Sequence, residues 1–281
     1  MLEAKLSQPM LLKKIVDAIK NLVQDCNFDC NESGMALQAM DNSHVALVSM
    51  VLKTELFNRW RCDRNLALGI NLTSLNKVLK SLQSDDLLSI TAEDTPDVIS
   101  FAFESTESDR FSQYDLKLMD IDQEHLGIPE TDYAAVVKMP SSEFQRITKD
   151  LMQLSESVAI ECTKEGIKFS CQGEIGSGSI TLRQHKEVEN PDNSVEITLS
   201  EPVSLTFSLK YLSNFTAATG LSSTVKLSLS NEVPLMVEYP LVDPNATESN
   251  SHLKFYLAPK VRLRNIPWMH MLTILQIGDE E

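Results

Sequence analysis

The chain repeats itself. Sliding residues 11–40 by 132 positions lays them without a gap on 143–172, so that Ile15 meets Ile147, Leu22 meets Leu154, Phe28 meets Ile160, Cys30 meets Cys162 and Gly34 meets Gly166. A shift near 137 brings Leu75 onto Leu212 and Val78 onto Phe215. Identity between the copies is low, and chance similarity is the competing account. The shared order of helix, strand, glycine turn and strand favours duplication.

Four segments have helical periodicity. In "LLKKIVDAIKNLV", Leu11, Ile15, Ala18, Ile19 and Leu22 recur at three- and four-residue steps, with Lys13, Lys14, Asp17 and Lys20 on the other side. In "NLTSLNKVLKSL", Leu72, Leu75, Leu79 and Leu82 oppose Lys77 and Lys80, and Thr73 or Ser74 is available as a cap. In "SSEFQRITKDLMQL", Phe144, Ile147, Leu151 and Leu154 oppose Arg146 and Lys149, with Ser141 or Ser142 at the start. In the weaker "LKYLSNFTAAT", Leu212 and Phe215 oppose Lys210.

Between the helices, "VALVSMVL", "VISFAFE", "GIKFSCQ" and "VKLSLS" alternate as strands do. None has the long helical crossover that parallel pairing requires. The expected fold class is therefore α+β: two similar domains of antiparallel sheet with short helices. We place them at 1–117 and 135–260, joined by an acidic connector over 118–134 that shows neither period. A tail, 261–281, follows.

Composition sets the outer limits. With 281 residues, 42% hydrophobic and 23% charged, the chain reads as a globular protein able to bury a core. No apolar run approaches a bilayer span, and the first ten residues show no signal peptide, so no membrane association is expected. Five cysteines without a CxxC pair predict reduced thiols in cytosol or nucleus, with no disulfide scaffold and no zinc site.

No enzyme constellation is present: no Walker loop, no GxGxxG between strand and helix, no HExxH, no GxSxG. The glycines of "GEIGSGSITL" fit an irregular or edge strand better than a nucleotide loop. His44 beside Asp41 resembles half a dyad, but a surface histidine near a turn is the commoner case. We expect neither catalysis nor a cofactor.

The signal that remains is electrostatic. The formal charge is −15, yet the polar helix faces carry Lys13, Lys14, Lys20, Lys77, Lys80, Arg146 and Lys149 against Asp17 and Asp150. Any amphipathic helix turns charge outward. Positive charge segregated within an acidic chain suggests, beyond that, one surface for a polyanion.

Four stretches make the pattern specific: "LQAMDNSHVALV" (37–48), "RCDRNLALGINLTSLNKVLK" (61–80), "YDLKLMDID" with "LGIPE" (114–130) and "HLKFYLAPK" (252–260). Together they closely resemble the eukaryotic DNA sliding clamps, the proliferating cell nuclear antigen family, from Met1 to Lys260. The resemblance implies a clamp fold closing head to tail as a homotrimeric ring, with twelve helices around duplex DNA that is held without sequence specificity. It implies a nuclear processivity factor for replicative DNA polymerase. Partners would be polymerases, a clamp loader and proteins of mismatch repair and translesion synthesis, docking through short peptide motifs. A paralogous checkpoint-type clamp subunit is the alternative.

By position, the resemblance assigns DNA contact to Lys13, Lys14, Lys20, Arg61, Arg64, Lys77, Lys80, Arg146, Lys149 and Lys210. Ala217 stands where the family often has lysine. The partner groove would comprise Met40, His44, Val45, Leu47, Leu126, Ile128, Pro129, Tyr133, Pro234, Tyr256, Ala258 and Pro259. Lys164 matches the ubiquitin-acceptor lysine. Ring closure would pair Asp109–Leu118 with Glu174–Leu182 of the next subunit.

The tail departs from the family. Residues 261–276 hold two arginines, no acid, and Trp268, Met271, Leu272 and Leu275 at helical spacing. One reading is a short amphipathic helix, begun at Pro267, covering the partner groove. The favoured reading is a translated intron. Its sixteen codons keep the frame, Val-Arg permits a GTAAG donor, Leu272-Thr273 a CTAAC branch point and Gln276 a CAG acceptor. Removing it leaves "LAPKIGDEE", an ordinary acidic terminus for the family.

Overall fold

Apolar residues at helical or alternating spacing become structure when a second layer covers them, and here that happens twice. The computed structural model describes residues 1–122, 126–128, 131–187, 189–231, 233–241 and 250–260. The chain forms two units: Met1–Gln123 with Gly220–Ser222 and Tyr239–Lys254, and Glu124–Thr219 with Ser223–Glu238 and Phe255 onward.

The first unit contains β1 (Leu2–Leu6), α1 (Pro9–Ile19), β2 (Asp25–Asn31), β3 (Gly34–Met40), β4 (Ala46–Lys53), β5 (Phe57–Cys62), β6 (Leu66–Asn71), α2 (Leu72–Leu79), β7 (Asp86–Ala92), β8 (Val98–Ser105) and β9 (Phe111–Lys117). Its strands run in the orders β5-β1-β7-β8-β9 and β4-β3-β2-β6. The second contains β10 (Ala135–Pro140), α3 (Ser141–Met152), β11 (Ser157–Thr163), β12 (Gly166–Gln172), β13 (Ser177–Leu182), β14 (Glu196–Leu199), β15 (Val203–Ser208), α4 (Leu209–Phe215), β16 (Thr224–Leu229), β17 (Leu235–Pro240) and β18 (His252–Leu257). Its orders are β14-β10-β16-β17-β18 and β13-β12-β11-β15. The division between units falls inside β17 and β18.

The repeat is structural as well as sequential. The shift of 132 carries β2 onto β11 and β3 onto β12 residue for residue, and the shift of 137 carries β6 onto β15. All described pairings are antiparallel. At the two hairpin turns Gly34 and Gly166 have φ of 133° and 144°. A Cβ there would meet Leu52 O at 2.1 Å and Leu182 O at 2.3 Å. Only glycine fits such a backbone at such a distance.

Each helix turns its apolar stripe inward. Leu12, Ile15, Val16 and Ile19 of α1 are buried, as are Leu72, Leu75 and Leu79 of α2, Phe144, Ile147 and Leu151 of α3, and Leu212 and Phe215 of α4. Each such side chain stabilises by about 1.5–3 kcal/mol on the transfer scale. Phe215 stacks on Phe255 with ring centroids 4.6 Å apart.

Helix ends differ from expectation in three places. Helix α1 starts at Pro9, whose fixed φ suits a first turn, and stops at Ile19 short of Val23. Helix α2 is capped by Asn71, whose side-chain oxygen accepts from Ser74 N at 2.9 Å, and not by Thr73 or Ser74. Helix α3 has no side-chain cap: Pro140 precedes it, Ser141 is already helical, and the Ser141 hydroxyl donates to Thr219 O at 3.4 Å. Among the described residues no helix is long and apolar enough to cross a membrane.

Candidate nucleic-acid interface and partner groove

Helices α1 and α2 pack together in the first unit, α3 and α4 in the second. In both pairs the buried stripe leaves the basic side chains on the opposite face. Lys14, Lys77, Lys80, Arg146, Lys149 and Lys210 are exposed, and Lys13 and Lys20 are half-buried.

These cations are not equivalent. Lys13 Nζ donates to Leu82 O at 3.0 Å, and Lys14 Nζ to Gly220 O at 3.2 Å. Lys20 is ion-paired with Asp17 one turn earlier. Asn76 of α2, its amide oriented to suit both neighbours, donates to Asp17 Oδ1 and accepts from Lys20 Nζ, each at 3.1 Å. Arg146 is held by Glu143 at 2.7 Å. Among the described residues Lys77, Lys80, Lys149 and Lys210 have no acidic partner, so their charge is available to an outside anion. Ala217 is exposed just past α4 and adds none.

Arg61 and Arg64 lie elsewhere. Arg61 is on β5, and its guanidinium grips Asp63 at 2.9 and 3.1 Å. Arg64 follows in the turn to β6 and pairs with Asp94 at 3.1 Å. The hydrogen bond from Arg61 holds the Asp63 carboxyl below the usual carboxylate range. Neither arginine stands on a helix face with the lysines.

The groove residues are built from loops. In the first unit, Met40 and Leu47 face each other across β3 and β4. The loop between them is organised by Asp41, which is buried. Asp41 Oδ1 accepts from Val45 N at 2.8 Å and Ala46 N at 2.7 Å, and Oδ2 accepts from Ser43 N at 3.1 Å. Its carboxylate thus binds three backbone N–H groups of the loop. The same bonds start β4 at Ala46 and leave Val45 in the loop. His44 stands exposed at φ 53°, the one described non-glycine residue in the left-handed region.

In the second unit, Leu126 and Ile128 are half-buried, as are Tyr133, Pro234, Tyr256 and Ala258, while Pro259 is buried. Burial raises the Tyr133 and Tyr256 phenols, with Glu238 adding to both and Tyr133 adding to Tyr256. These three side chains therefore share one partly desolvated patch, an apolar seat with a polar tip. Pro129 lies outside the described residues, as do residues 261–281. Lys164 is exposed in the tight β11–β12 turn, where Glu165 N donates to Thr163 Oγ1 at 3.2 Å.

Six strands end their sheets among the described residues, and β9 and β13 are two of them. Strand β9 pairs only with β8, and β13 only with β12. Neither strand has a buried residue. Phe111, which opens β9, is 62% exposed, and Ile175, just before β13, is 78% exposed. Edges of this kind invite a further strand.

Asn71 and Asn76 organise these sites and were not singled out from sequence, and Asp41 was noted there only as a neighbour of His44. The signal was available in part: an Asp before a short polar loop, and an Asn before or inside an apolar-periodic helix.

Compared with known families, residues 1–125 match "Proliferating cell nuclear antigen, N-terminal domain" and residues 127–260 match "Proliferating cell nuclear antigen, C-terminal domain". The proliferating cell nuclear antigen of Chaetomium thermophilum is 69% identical over 261 residues, covering 93% of this chain and 98% of that protein.

Proposed function

Because the chain belongs to the proliferating cell nuclear antigen family, we propose that its basic helices face a duplex enclosed by three copies of the chain, and that its loops dock the enzymes working there. The chain is a DNA sliding clamp, a processivity factor that assembles with itself and binds polymerases and repair proteins. High identity to a replicative clamp over nearly its whole length disfavours the checkpoint-type paralogue.

The observation that carries the mechanism is the free charge on the helices. Lys77, Lys80, Lys149 and Lys210 project unpaired from short helices of a chain whose formal charge is −15. Phosphate contacts through flexible ammonium groups carry no base readout, so they hold DNA without fixing position. A closed ring supplies retention that such weak contacts lack. Acidic surface elsewhere keeps DNA from binding outside the hole. Arg61 and Arg64, already neutralised by Asp63 and Asp94, contribute less than the helix lysines.

Ring closure uses the open edges: Asp109–Leu118 of one subunit against Glu174–Leu182 of the next, a head-to-tail contact that a three-fold rotation closes. The working domain division remains 1–117, 118–134 and 135–260. The role is that of a nuclear scaffold, with chemistry left to its partners. Residues Met40, His44, Val45, Leu47, Leu126, Ile128, Pro129, Tyr133, Pro234, Tyr256, Ala258 and Pro259 form the seat for partner peptides. Lys164 is the modification site. Retention on DNA tests the reading. Clamp loaded on nicked circular DNA should stay bound after a salt wash and be lost when the circle is cut. Equal retention on cut and uncut DNA would contradict encirclement.

A further inference from the structure

We infer that Asn27 and Gly69 are positioning residues for the partner groove: opposite each other on β2 and β6, they pin the root of the connector and thereby set how tightly it receives a partner peptide. The inference rests on the groove reading above. Its starting point is a break in the strand alternation. On β2, Cys26, Phe28 and Cys30 are buried, and on β6, Leu66, Leu68 and Ile70 are buried. The intervening Asp25, Asp29, Ala67 and Asn71 are partly or fully exposed, yet Asn27 and Gly69 are buried among them. These two are register partners.

What covers them is the chain leaving β9. Met119 N donates to Gly69 O at 2.8 Å, and Asn27 Nδ2 donates to Ile121 O at 3.0 Å. A Cβ on Gly69 would lie 2.0 Å from Met119 O and 3.1 Å from Ile121 Cγ1, so any larger residue must push the connector root away. The second unit supplies an internal control. There the register partners are Ala159 and Thr206, and the chain leaving β18 also returns, with Lys260 N donating to Thr206 O at 2.7 Å. That contact tolerates threonine. Glycine at 69 is therefore demanded by the close approach of the connector and not by the place in the strand.

Pinning matters because the connector is a tether. Leu126 lies nine residues beyond Lys117 but only five beyond Ile121. At about 3.5 Å per residue, fixing Ile121 cuts the reach of Leu126 from about 31 Å to about 17 Å. A nearer fixed point narrows the positions Leu126 can reach, which favours a partner that needs it in one place.

The test uses full-length assembled protein and a fluorescent peptide carrying a Gln, an aliphatic residue and paired aromatics. Asn27→Asp replaces the amide donor by an acceptor facing Ile121 O, and Asn27→Gln keeps a donor. Affinity should fall about fivefold to tenfold in Asn27→Asp, the size of one lost hydrogen bond, recover towards the parent in Asn27→Gln, and fall further in Gly69→Ala. Met119 amide exchange should accelerate in Asn27→Asp, with assembly mass and retention on circular DNA unchanged. Leu126→Ala is assayed alongside. Unchanged affinity in Asn27→Asp and Gly69→Ala while Leu126→Ala weakens binding overturns the inference. So does an affinity loss matched by equal loss of DNA retention, which signals general unfolding. If Leu126→Ala also binds normally, the groove reading itself fails, and this inference falls with it.

Discussion

Gly34 and Gly166 show how a single residue type can fix a fold at two places. Both sit at positive φ where an added Cβ would lie about 2 Å from a carbonyl oxygen. We expect Gly34→Ala and Gly166→Ala each to destabilise by about 1–3 kcal/mol. Urea titration of each variant checks this, and an unchanged midpoint would contradict it. Thiols give a second prediction. Burial, with Asp25 and Asp29 adding, pushes Cys26 up to about 12 and also raises Cys30. The unfolded thiol titrates near 8.5, so the folded state holds its proton longer. The stabilising difference is complete below about pH 8.5 and is lost as pH climbs from there towards the folded value, by about 1 kcal/mol per thiol at pH 9.5. Urea midpoints should therefore drop between pH 7.5 and 9.5, and less so in Cys26→Ala. The two glycines were legible in the sequence because the repeat aligned them. Asn27 was not, since nothing in "DCNFDC" says that a distant segment will cover its face.

At the scale of elements, apolar periodicity revealed the four α-helices and the strands β4, β8, β12 and β16, because burial of one face is a local property of spacing. Which lysines remain free was not legible. Asp17, one turn before Lys20 in the same helix, is visible in the sequence, but only the fold brings Asn76 of α2 to that pair and leaves Lys77 open. Reversing Lys77 and Lys80 to Glu should therefore impair sliding and lower the salt slope of DNA binding by about one per lysine, while assembly mass stays unchanged. Normal polymerase stimulation by the double variant would show that these faces are merely solvated. For the connector, Leu126→Ala and Ile128→Ala should weaken the peptide by about 2 kcal/mol if either is an anchor. Isothermal titration reads that directly. Dependence on the whole loop, with neither residue dominant, would appear as small losses in both.

At the scale of the whole molecule, duplication was visible in two alignments of low identity, and the topology repeats it with the same strand orders in both units. Edge pairing between subunits was not visible in residue patterns, since an edge strand alternates like any other. The resemblance supplied that expectation, and the structure shows β9 and β13 with open sides. The segment 261–276 stands outside both family matches, the second of which ends at residue 260. We propose that it is a translated intron. Mature transcript lacking those 48 nucleotides supports this, and a dominant transcript that retains them refutes it. Closure of the ring is the central claim, because retention, sliding and the use of weak contacts all depend on it. Light scattering of the purified protein measures it most directly. A chain of 31.4 kDa should give three times that mass, about 94 kDa, and a mass near 31.4 kDa at micromolar concentration would contradict the account.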